Sequence, residues 1–570
     1  MKAKLTVVLL LLAAIGQSQT VHRYDIVITE IMADPVPSVG LPNAEFIELM
    51  NTASQAINLN GWQIGDANGF VVIKADYILL PDSFVIVCSP GSATALSVFG
   101  KTIPVTSFPS LDNNGDLLYL RSKEGMIIHS VEYNTDWYQN PVKKEGGWTL
   151  EMIDSKNPCS GFSNWTASND SKGGTPGKRN SVDAINTDQQ PPALLRSFIS
   201  DSLTIILLFD EPLDSSNAVI ADHYNISDGI GTPQSVTAIP PLFNRIQLRT
   251  ASPLIKNKVY NIIVTNINDC AGNTIGAYNK TKSGIASLPD PFDLVINEIL
   301  FNPKPDGVDY VELYNRSDKI IELKDCYIAN RASNNSIGSI KQISPDNRLL
   351  FPGEYIVITE NAAVVKKQYL AKQPDAFSVI ASMPSYPDDK GDVIILNIQG
   401  TILDELQYDE HWHFKLIDNN EGVALERINY NNPAQDAANW HSAATDAGYG
   451  TPGYQNSQYT TGIQSQGNIS ITASIFSPDN DGFNDFATID YQFPTPGYTC
   501  NITIYDANGR PVRYLTRNAL CGLNGYFRWD GLGEKANKLP IGIYVIYTEA
   551  FNLQGSVTKY KHAITLARRL

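Results

Sequence analysis

Short apolar runs, separated by clusters of Gly, Pro, Asn and Asp, recur along the whole chain. Residues 84–87, 203–209 and 259–264 are typical of these runs and are rich in β-branched side chains. Runs this short and this branched favour strands over helices. The 40 Gly and 33 Pro residues lie mostly between the runs, as turns do in β-rich proteins. The pattern predicts an all-β fold, and 570 residues are too many for one core, so we expect several sandwich domains in series.

The chain contains an internal repeat. Residues 24–31 (YDIVITEI) return as residues 292–299 (FDLVINEI), and residues 45–51 (EFIELMN) return as residues 309–315 (DYVELYN). Further segments match in the same order: 84–87 with 355–358, 115–120 with 391–396, 150–151 with 425–426, and Gly-Thr-Pro-Gly at 174–177 with 450–453. Matches in register with gaps confined to the loops indicate two copies of one domain. Residues 85–87 and 356–358 are apolar throughout, which predicts strands that are buried on both faces.

Each copy resembles the lamin tail domain. The resemblance rests on Ile28-x-Glu30-Ile31, on residues 45–51 and on Leu59-x-Gly61-Trp62. It implies an immunoglobulin-like β-sandwich of a kind found in nuclear lamins and in secreted bacterial proteins. The second copy departs at residues 325–327, where Asp-Cys-Tyr replaces Gly-Trp-Gln. We expect that departure to alter packing at a sheet edge and to leave the fold unchanged.

Two glutamates in each copy invite a catalytic interpretation, because paired carboxyls can do acid–base chemistry. They are Glu30 and Glu48 in the first copy, and Glu298 and Glu312 in the second. The strand pattern favours a structural role, with side chains that face solvent or cap a loop, and the lamin tail family is not known for catalysis.

Two further modules show other resemblances. Residues 189–290 combine a strand, Asp-Glu-Pro-Leu at 210–213 and Asp-x-x-Gly-Asn at 269–273. They resemble a bacterial immunoglobulin-like repeat of surface-layer and adhesin proteins, which implies a spacer. Residues 464–570 resemble the immunoglobulin-like module of the flagellar hook-capping protein. They also resemble the gliding-motility-associated C-terminal domains of Bacteroidetes, which implies a sorting signal for type IX secretion and contact with that secretion machinery.

The last module opens with an acidic loop, Ser-Pro-Asp-Asn-Asp-Gly-Phe-Asn-Asp, at residues 477–485. Its candidate Ca²⁺ ligands are Asp479, Asp481, Asn484 and Asp485, because a hard cation prefers six to eight oxygens and Gly482 permits a tight turn. The alternative is an Asx-turn loop whose carboxylates bind its own backbone amides. The sequence leaves both open.

The net charge, the N-terminal segment and the cysteines indicate the compartment of the protein and exclude some classes of partner. The formal charge is −16 and the pI about 4.9, which argues against nucleic-acid binding and against docking on an anionic membrane. Residues 1–19 combine two lysines, a short apolar run and small residues, which predicts a secretory signal peptide, and no later segment predicts a transmembrane helix. Cys88 and Cys159 share the first domain, and Cys500 and Cys521 share the last, so either pair could form a disulfide in an oxidising compartment. The sequence leaves the pairing open.

Catalytic motifs are absent from the sequence, including the nucleophile elbow, the P-loop and the H-E-x-x-H zinc motif. His411 and His413 would share one face of a strand, and a zinc site there would need further ligands such as Asp409 or Glu410. We therefore expect no enzyme.

The predicted organisation has five parts: a signal peptide at 1–19, lamin-tail-like domains at 20–185 and 291–460, an Ig-like domain at 189–290 and a C-terminal module at 464–570. The predicted function is that of a secreted or outer-surface structural or adhesive protein of a Gram-negative bacterium, with an unidentified protein or glycan as its ligand. The alternative is an accessory that targets a separate secreted hydrolase to its substrate.

Overall fold

The structure is a computed structural model that describes residues 20–462 and 467–568. The predicted signal peptide lies outside the described residues. In the described part, no helix has the length and apolar character needed to cross a membrane. Strands dominate, and the predicted all-β fold of tandem domains is confirmed. The chain divides into a first compact unit (Met1–Pro253 with Tyr260–Ser283) and a second (Leu254–Val259 with Gly284–Leu570).

The first unit begins with the first lamin-tail-like repeat, which pairs a six-stranded sheet (order β12-β11-β1-β2-β7-β8) with a four-stranded sheet (β10-β9-β4-β5). The small sheet β3-β6 and one helical turn, α1 (Ala93–Leu96), complete it. The strands are β1 Ile26–Met32, β2 Phe46–Asn51, β3 Ile57–Asn58, β4 Gln63–Asp66, β5 Gly69–Val72, β6 Ile78–Leu79, β7 Phe84–Cys88, β8 Thr102–Pro104, β9 Gly115–Arg121, β10 Ile127–Asn134, β11 Leu150–Met152 and β12 Trp165–Ala167.

The rest of the first unit holds a four-stranded sheet (β13-β14-β17-β16) and a three-stranded sheet (β15-β18-β19). The strands are β13 Leu194–Asp201, β14 Thr204–Phe209, β15 Tyr224–Ile226, β16 Ser235–Ile239, β17 Arg245–Arg249, β18 Tyr260–Val264 and β19 Lys280–Ser283. Apolar side chains alternate along β18, where Tyr260, Ile262 and Val264 are buried. This alternation is what a sheet with one covered face requires.

The second repeat opens the sheets of the second unit, and its strands have the same order as those of the first. Written from the same edges, its sheets are β31-β30-β20-β21-β26-β27, β29-β28-β23-β24 and β22-β25. Helix α2 (Ala362–Gln368) is capped by the side chain of Asn361. The strands are β20 Leu294–Leu300, β21 Tyr310–Asn315, β22 Ile321–Glu322, β23 Cys326–Arg331, β24 Ile337–Gln342, β25 Leu349–Leu350, β26 Tyr355–Thr359, β27 Phe377–Val379, β28 Lys390–Asn397, β29 Ile402–Asp409, β30 Leu425–Arg427 and β31 Trp440–Ser442. The duplication inferred from sequence is thus confirmed.

The large sheet of each repeat is covered on both faces. Val85 and Val87 lie in the core between the two sheets, whereas Ile86 packs in a second cluster on the outer face together with Leu96 of α1. Ile356 and Ile358 repeat the inner arrangement in the second copy, and Val357 packs outward. The prediction that these strands are buried on both faces is confirmed.

The change at residues 325–327 lies elsewhere than predicted. Cys326 is fully buried in the core on β23, and β23 is flanked by strands on both sides. Trp62 fills the equivalent core of the first repeat. The expectation of altered edge packing is wrong, because the replaced tryptophan belongs to the interior.

The second unit ends with a three-stranded sheet (β32-β34-β37) and a five-stranded sheet (β33-β39-β38-β35-β36) around one core. The strands are β32 Asn468–Thr472, β33 Ile475–Phe476, β34 Ala487–Gln492, β35 Tyr498–Asp506, β36 Pro511–Leu520, β37 Asn524–Trp529, β38 Gly542–Asn552 and β39 Val557–Leu566. Short 3-10 segments occur along the chain at Thr135–Tyr138, Lys143–Glu145, Gly161–Asn164, Ala221–His223, Leu323–Asp325, Glu410–Trp412 and Ala437–Asn439.

The disulfide of the first unit joins Cys159 to Cys270. The predicted Cys88–Cys159 pair is therefore wrong, and Cys88 is a buried free thiol. The candidate Cys500–Cys521 pair is also wrong, because both residues are buried free thiols in one core. Both candidate pairs lie within single domains, whereas the observed bond links the first repeat to the region that follows it.

Candidate functional site

Three buried glutamates form a rung across the large sheet of the first repeat. Glu30 on β1 pairs in register with Glu48 on β2 and with Glu151 on β11. All three side chains are fully buried. In-register residues of adjacent strands share one face of a sheet, so the three carboxyls line up on the outer face. We call them the first glutamate rung.

The Gly-Thr-Pro-Gly segment at 174–177, which we call the first clasp, covers that rung. The Thr175 amide donates to Glu30 Oε1 at 2.7 Å, and its hydroxyl donates to Glu151 Oε1 at 2.8 Å. The Gly177 amide donates to Glu48 Oε2 at 2.5 Å. Gly177 has a φ of +82°, and a Cβ at this position would lie 2.5 Å from Phe99 O and 2.7 Å from Gly100 Cα, so a side chain there would be strained and crowded.

The second repeat reproduces this arrangement. Glu298 pairs in register with Glu312 and Glu426, which together form the second glutamate rung. The second clasp, residues 450–453, covers it: the Thr451 amide donates to Glu298 Oε1 at 2.9 Å, and the Gly453 amide donates to Glu312 Oε2.

The prediction that Glu30, Glu48, Glu298 and Glu312 face solvent or cap loops is wrong. The alternation along each strand does place them opposite the core, but the clasps and the outer apolar cluster cover that face. Burial raises the pKa of Glu48 and that of Glu426 to about 8. Burial, together with the neighbouring carboxyls of the same rung, raises the pKa of Glu30 and that of Glu312 well above the usual range.

A β-bulge beside each rung leaves one backbone amide that needs an acceptor, and the two repeats supply different ones. In the first repeat, the Ile28 amide donates to His129 Nδ1 at 2.9 Å, and burial lowers the pKa of His129 to about 4. In the second, the Ile296 amide donates to Asp404 Oδ2 at 2.9 Å. Asp404 also forms a buried ion pair with Arg427 at 2.6 Å. The two repeats therefore share the bulged backbone, and they differ in the side chain that accepts the hydrogen bond of the bulge amide.

The aspartate loop between β33 and β34 brings its three predicted aspartate ligands together. Carboxylate oxygens of Asp479, Asp481 and Asp485 lie within 4.8 Å of one another. The side chain of Asp485 also accepts the amides of residues 480 and 482, and Asp481 accepts that of residue 483. Asn484 takes part through its backbone oxygen, which accepts the Ser477 amide. The loop thus has enough oxygens for a hard cation and also the internal bonds of Asx turns.

The histidine pair does not share a strand face. Residues 410–412 form a 3-10 segment. His411 is exposed beside Asp409 at 2.6 Å, whereas His413 is buried against Ser442 Oγ at 2.9 Å. Neither histidine belongs to a metal-compatible cluster of three acidic, histidine or cysteine side chains in the described residues.

Sequence reasoning missed one acidic cluster in the first unit: Asp188, Glu211 and Asp269, whose oxygens also lie within 4.8 Å. Asp188 and Glu211 line a cavity of about 480 Å³. Burial, then Asp188 and Asp269, raise the pKa of Glu211 to about 8. Glu211 and Asp269 fall in segments that carried the resemblance to an Ig-like repeat, but nothing in the sequence places them beside Asp188.

Comparisons with known proteins agree with the repeats. The model of the family described as Lamin Tail Domain matches residues 20–135 and 289–410. No curated protein matches the chain.

Among solved structures, the N-terminal part of the bacterial S-layer protein SbsC is 16% identical, with 30% of this chain and 40% of that one covered and a TM-score of 0.16. A tetra-tandem repeat of a large adhesion protein is 10% identical, with 95% and 98% covered and a TM-score of 0.12. A DUF4876 family protein from Bacteroides thetaiotaomicron is 11% identical, with 47% and 99% covered and a TM-score of 0.20. Similarities this low carry no information on function. The two segments that match the Lamin Tail Domain model thus fall on the two copies of the duplicated sheets.

Proposed function

We propose that this chain is a non-catalytic structural or adhesive protein of the bacterial surface. The proposal rests on where the structure places the glutamates that most resemble catalytic groups. Both rungs are fully buried, and their carboxyls are engaged by the clasps. A general acid or base must come within hydrogen-bond distance of a substrate, and groups sealed in this way do not.

The disulfide supports a location outside the cytoplasm. Cys159 and Cys270 are 111 residues apart in sequence, and disulfides of this kind persist in oxidising compartments. The negative charge of the whole chain fits a soluble surface protein and disfavours nucleic-acid partners. The rigid sandwiches would act as spacers, and their loops would contact a protein or glycan.

Binding tests separate the surface role from the hydrolase-accessory role. Purified residues 20–570, labelled with a fluorophore, are expected to bind whole cells or matrix glycan of the producing bacterium in a saturable way. Unlabelled chain should compete, and labelled serum albumin serves as the control. A pull-down from spent medium that recovers a hydrolase, with no binding to cells or glycan, would instead support the accessory role and contradict ours.

The C-terminal module is proposed as the sorting signal. Residues 464–570 carry ten Lys and Arg against eight Asp and Glu, whereas the whole chain carries 43 against 59. This different charge balance suits a separate partner such as secretion machinery. Deleting residues 464–570 should retain a tagged chain inside the cell or periplasm, while the full chain reaches the surface. Equal export of both forms would reject the proposal.

The aspartate loop is proposed to bind Ca²⁺ through Asp479, Asp481 and Asp485, with Asn484 at its rim. Calorimetric titration of the full chain with Ca²⁺ is expected to show one saturable site, which the triple change to Asn at the three aspartates should abolish. Asn keeps the shape and the Asx-turn acceptors but removes charge. A control triple change at the exposed Asp76, Asp136 and Asp228 should leave binding intact. The Asx-turn alternative predicts no heat of binding in either protein.

A further inference from the structure

The two glutamate rungs place six carboxyls in the interior without a basic partner. No ion pair joins any of the six to Lys, Arg or His within residues 20–462 and 467–568. A buried carboxylate with no compensating charge costs several kcal/mol. Some other positive charge must therefore occupy the rungs when the protein is folded.

A metal ion does not fit either rung. A Ca²⁺ ion bound by three carboxylates holds oxygens at about 2.3–2.6 Å from itself, which keeps them within about 5 Å of one another. In the described part of the chain, three acidic side chains converge to 4.8 Å only in the aspartate loop and in the cluster that contains Glu211. The rungs spread their carboxyls over three strands, so the remaining candidate is the proton.

The second rung gives direct geometric evidence for a proton. Thr451 Oγ lies 2.6 Å from Glu298 Oε2 and 2.9 Å from Glu426 Oε1. A hydroxyl has one hydrogen and can donate to only one of these oxygens. The other contact is a hydrogen bond only if that carboxyl is protonated and donates to Thr451 Oγ.

The first rung supplies an independent indication. Glu30 Oε1 accepts from the Thr149 hydroxyl at 2.7 Å and from the Thr175 amide, whereas Glu30 Oε2 is buried with no hydrogen-bond partner. An unpartnered oxygen is far less costly on a neutral carboxyl than on a charged carboxylate.

We infer that each lamin tail domain binds a proton within its glutamate rung, and that this proton keeps the clasp docked on the sheet. The proton belongs to the rung as a whole, because interacting carboxyls titrate together. Loss of the proton leaves adjacent buried charges that repel one another, so the clasp and its rung separate and water enters. In the second repeat Glu426 also accepts from Ser457 and Gln458, so the segment that leads to the C-terminal module depends on the same proton.

The direction of the pH effect follows from the groups that face the rungs. Around the first rung these are its own three glutamates. Around the second they are its glutamates, the imidazole of His441, which is in register with Glu426 and whose pKa is lowered by burial, and the phenols of neighbouring tyrosines: Tyr310, Tyr355, Tyr369, Tyr430 and Tyr454. All are neutral or negative. Burial raises the pKa values of Glu30, Glu48, Glu298, Glu312 and Glu426 above the unfolded value of 4.5, and those of Glu48 and Glu426 reach about 8. The stabilisation is therefore complete below pH 4.5 and is lost as the pH rises through 8.

The test uses residues 20–570 and the double variant Glu30→Gln/Glu298→Gln. At both positions glutamine keeps the accepting carboxyl oxygen, and its NH2 group takes the place of the protonated oxygen. In the first rung the NH2 group replaces the unpartnered Glu30 Oε2. In the second it replaces Glu298 Oε2 and donates to Thr451 Oγ. The wild-type melting temperature is expected to fall by several degrees between pH 6 and pH 9. The double variant should lose most of that slope, whereas Glu124→Gln at an exposed site should keep it.

Infrared spectroscopy of the wild-type protein tests the same proton without a variant. A carboxylic-acid carbonyl band is expected at pH 7, where ordinary glutamates are ionised, and it should disappear as the pH passes through 8. An absent band at pH 7 would overturn the inference. An unchanged pH slope in a folded double variant would overturn it as well.

Discussion

Replacing Asp404 with alanine is expected to lower the free energy of unfolding of the second unit by about 3–5 kcal/mol. Arg427 is fully buried and donates to Asp404 Oδ2 at 2.6 Å, to the Ile296 carbonyl at 3.0 Å and to the Asn432 carbonyl at 2.6 Å. Removing Asp404 leaves that guanidinium charge uncompensated and also removes the acceptor of the Ile296 amide. Chemical denaturation followed by tryptophan fluorescence measures the loss.

The first repeat provides the matched control. Its residues at the two positions are His129, which accepts the bulge amide, and Met152, which is buried and carries no charge. The double change Asp404→His/Arg427→Met transfers that arrangement to the second repeat and should recover most of the stability lost in Asp404→Ala. If the single change costs less than about 1 kcal/mol, the range of an exposed pair, the ion pair does not stabilise the bulge.

The double change Cys159→Ser/Cys270→Ser is expected to destabilise the first unit by about 2–5 kcal/mol, because the bond closes a long loop and restricts the unfolded chain. Guanidinium unfolding gives the difference between the variant and the wild type.

Reduction is the control for the disulfide. A reductant should lower the stability of the wild type to that of the double variant and leave the variant unchanged. A mass spectrum of the exported, unreduced protein should show the two cysteines two hydrogens lighter than free thiols. Equal stability with and without reductant, in a protein shown to carry the bond, would contradict its structural role.

Much of the fold could be predicted because the same domain sequence occurs twice in the chain. Matches in register fixed the repeat, and the unbroken apolar character of residues 85–87 and 356–358 predicted their burial on both faces. Local patterns of this kind depend on neighbours along the strand, which the sequence shows directly. The four-domain boundaries, the signal peptide and the sorting role stay predictions.

The site was harder to predict because it joins distant segments. Alternation correctly placed Glu30 and Glu48 opposite the core, but it could not show that a clasp about 130 residues later covers that face. The sequence does contain a signal for the rung and its clasp, because Leu150-Glu151 and Gly-Thr-Pro-Gly recur together with the strand glutamates in both copies. The pairing of Cys159 with Cys270 had no comparable local signal, because it depends on how the first repeat packs against the region that follows.

A turnover assay tests the non-catalytic proposal most directly. Purified residues 20–570 would be incubated with nuclease, protease and glycosidase substrates beside the Glu30→Gln/Glu298→Gln variant, with melting temperatures recorded for both. We expect no turnover above buffer from either protein, and a difference between them only in how stability depends on pH. Turnover by the wild type that vanishes in the folded variant would show that the buried carboxyls reach a substrate, and would contradict the proposed function.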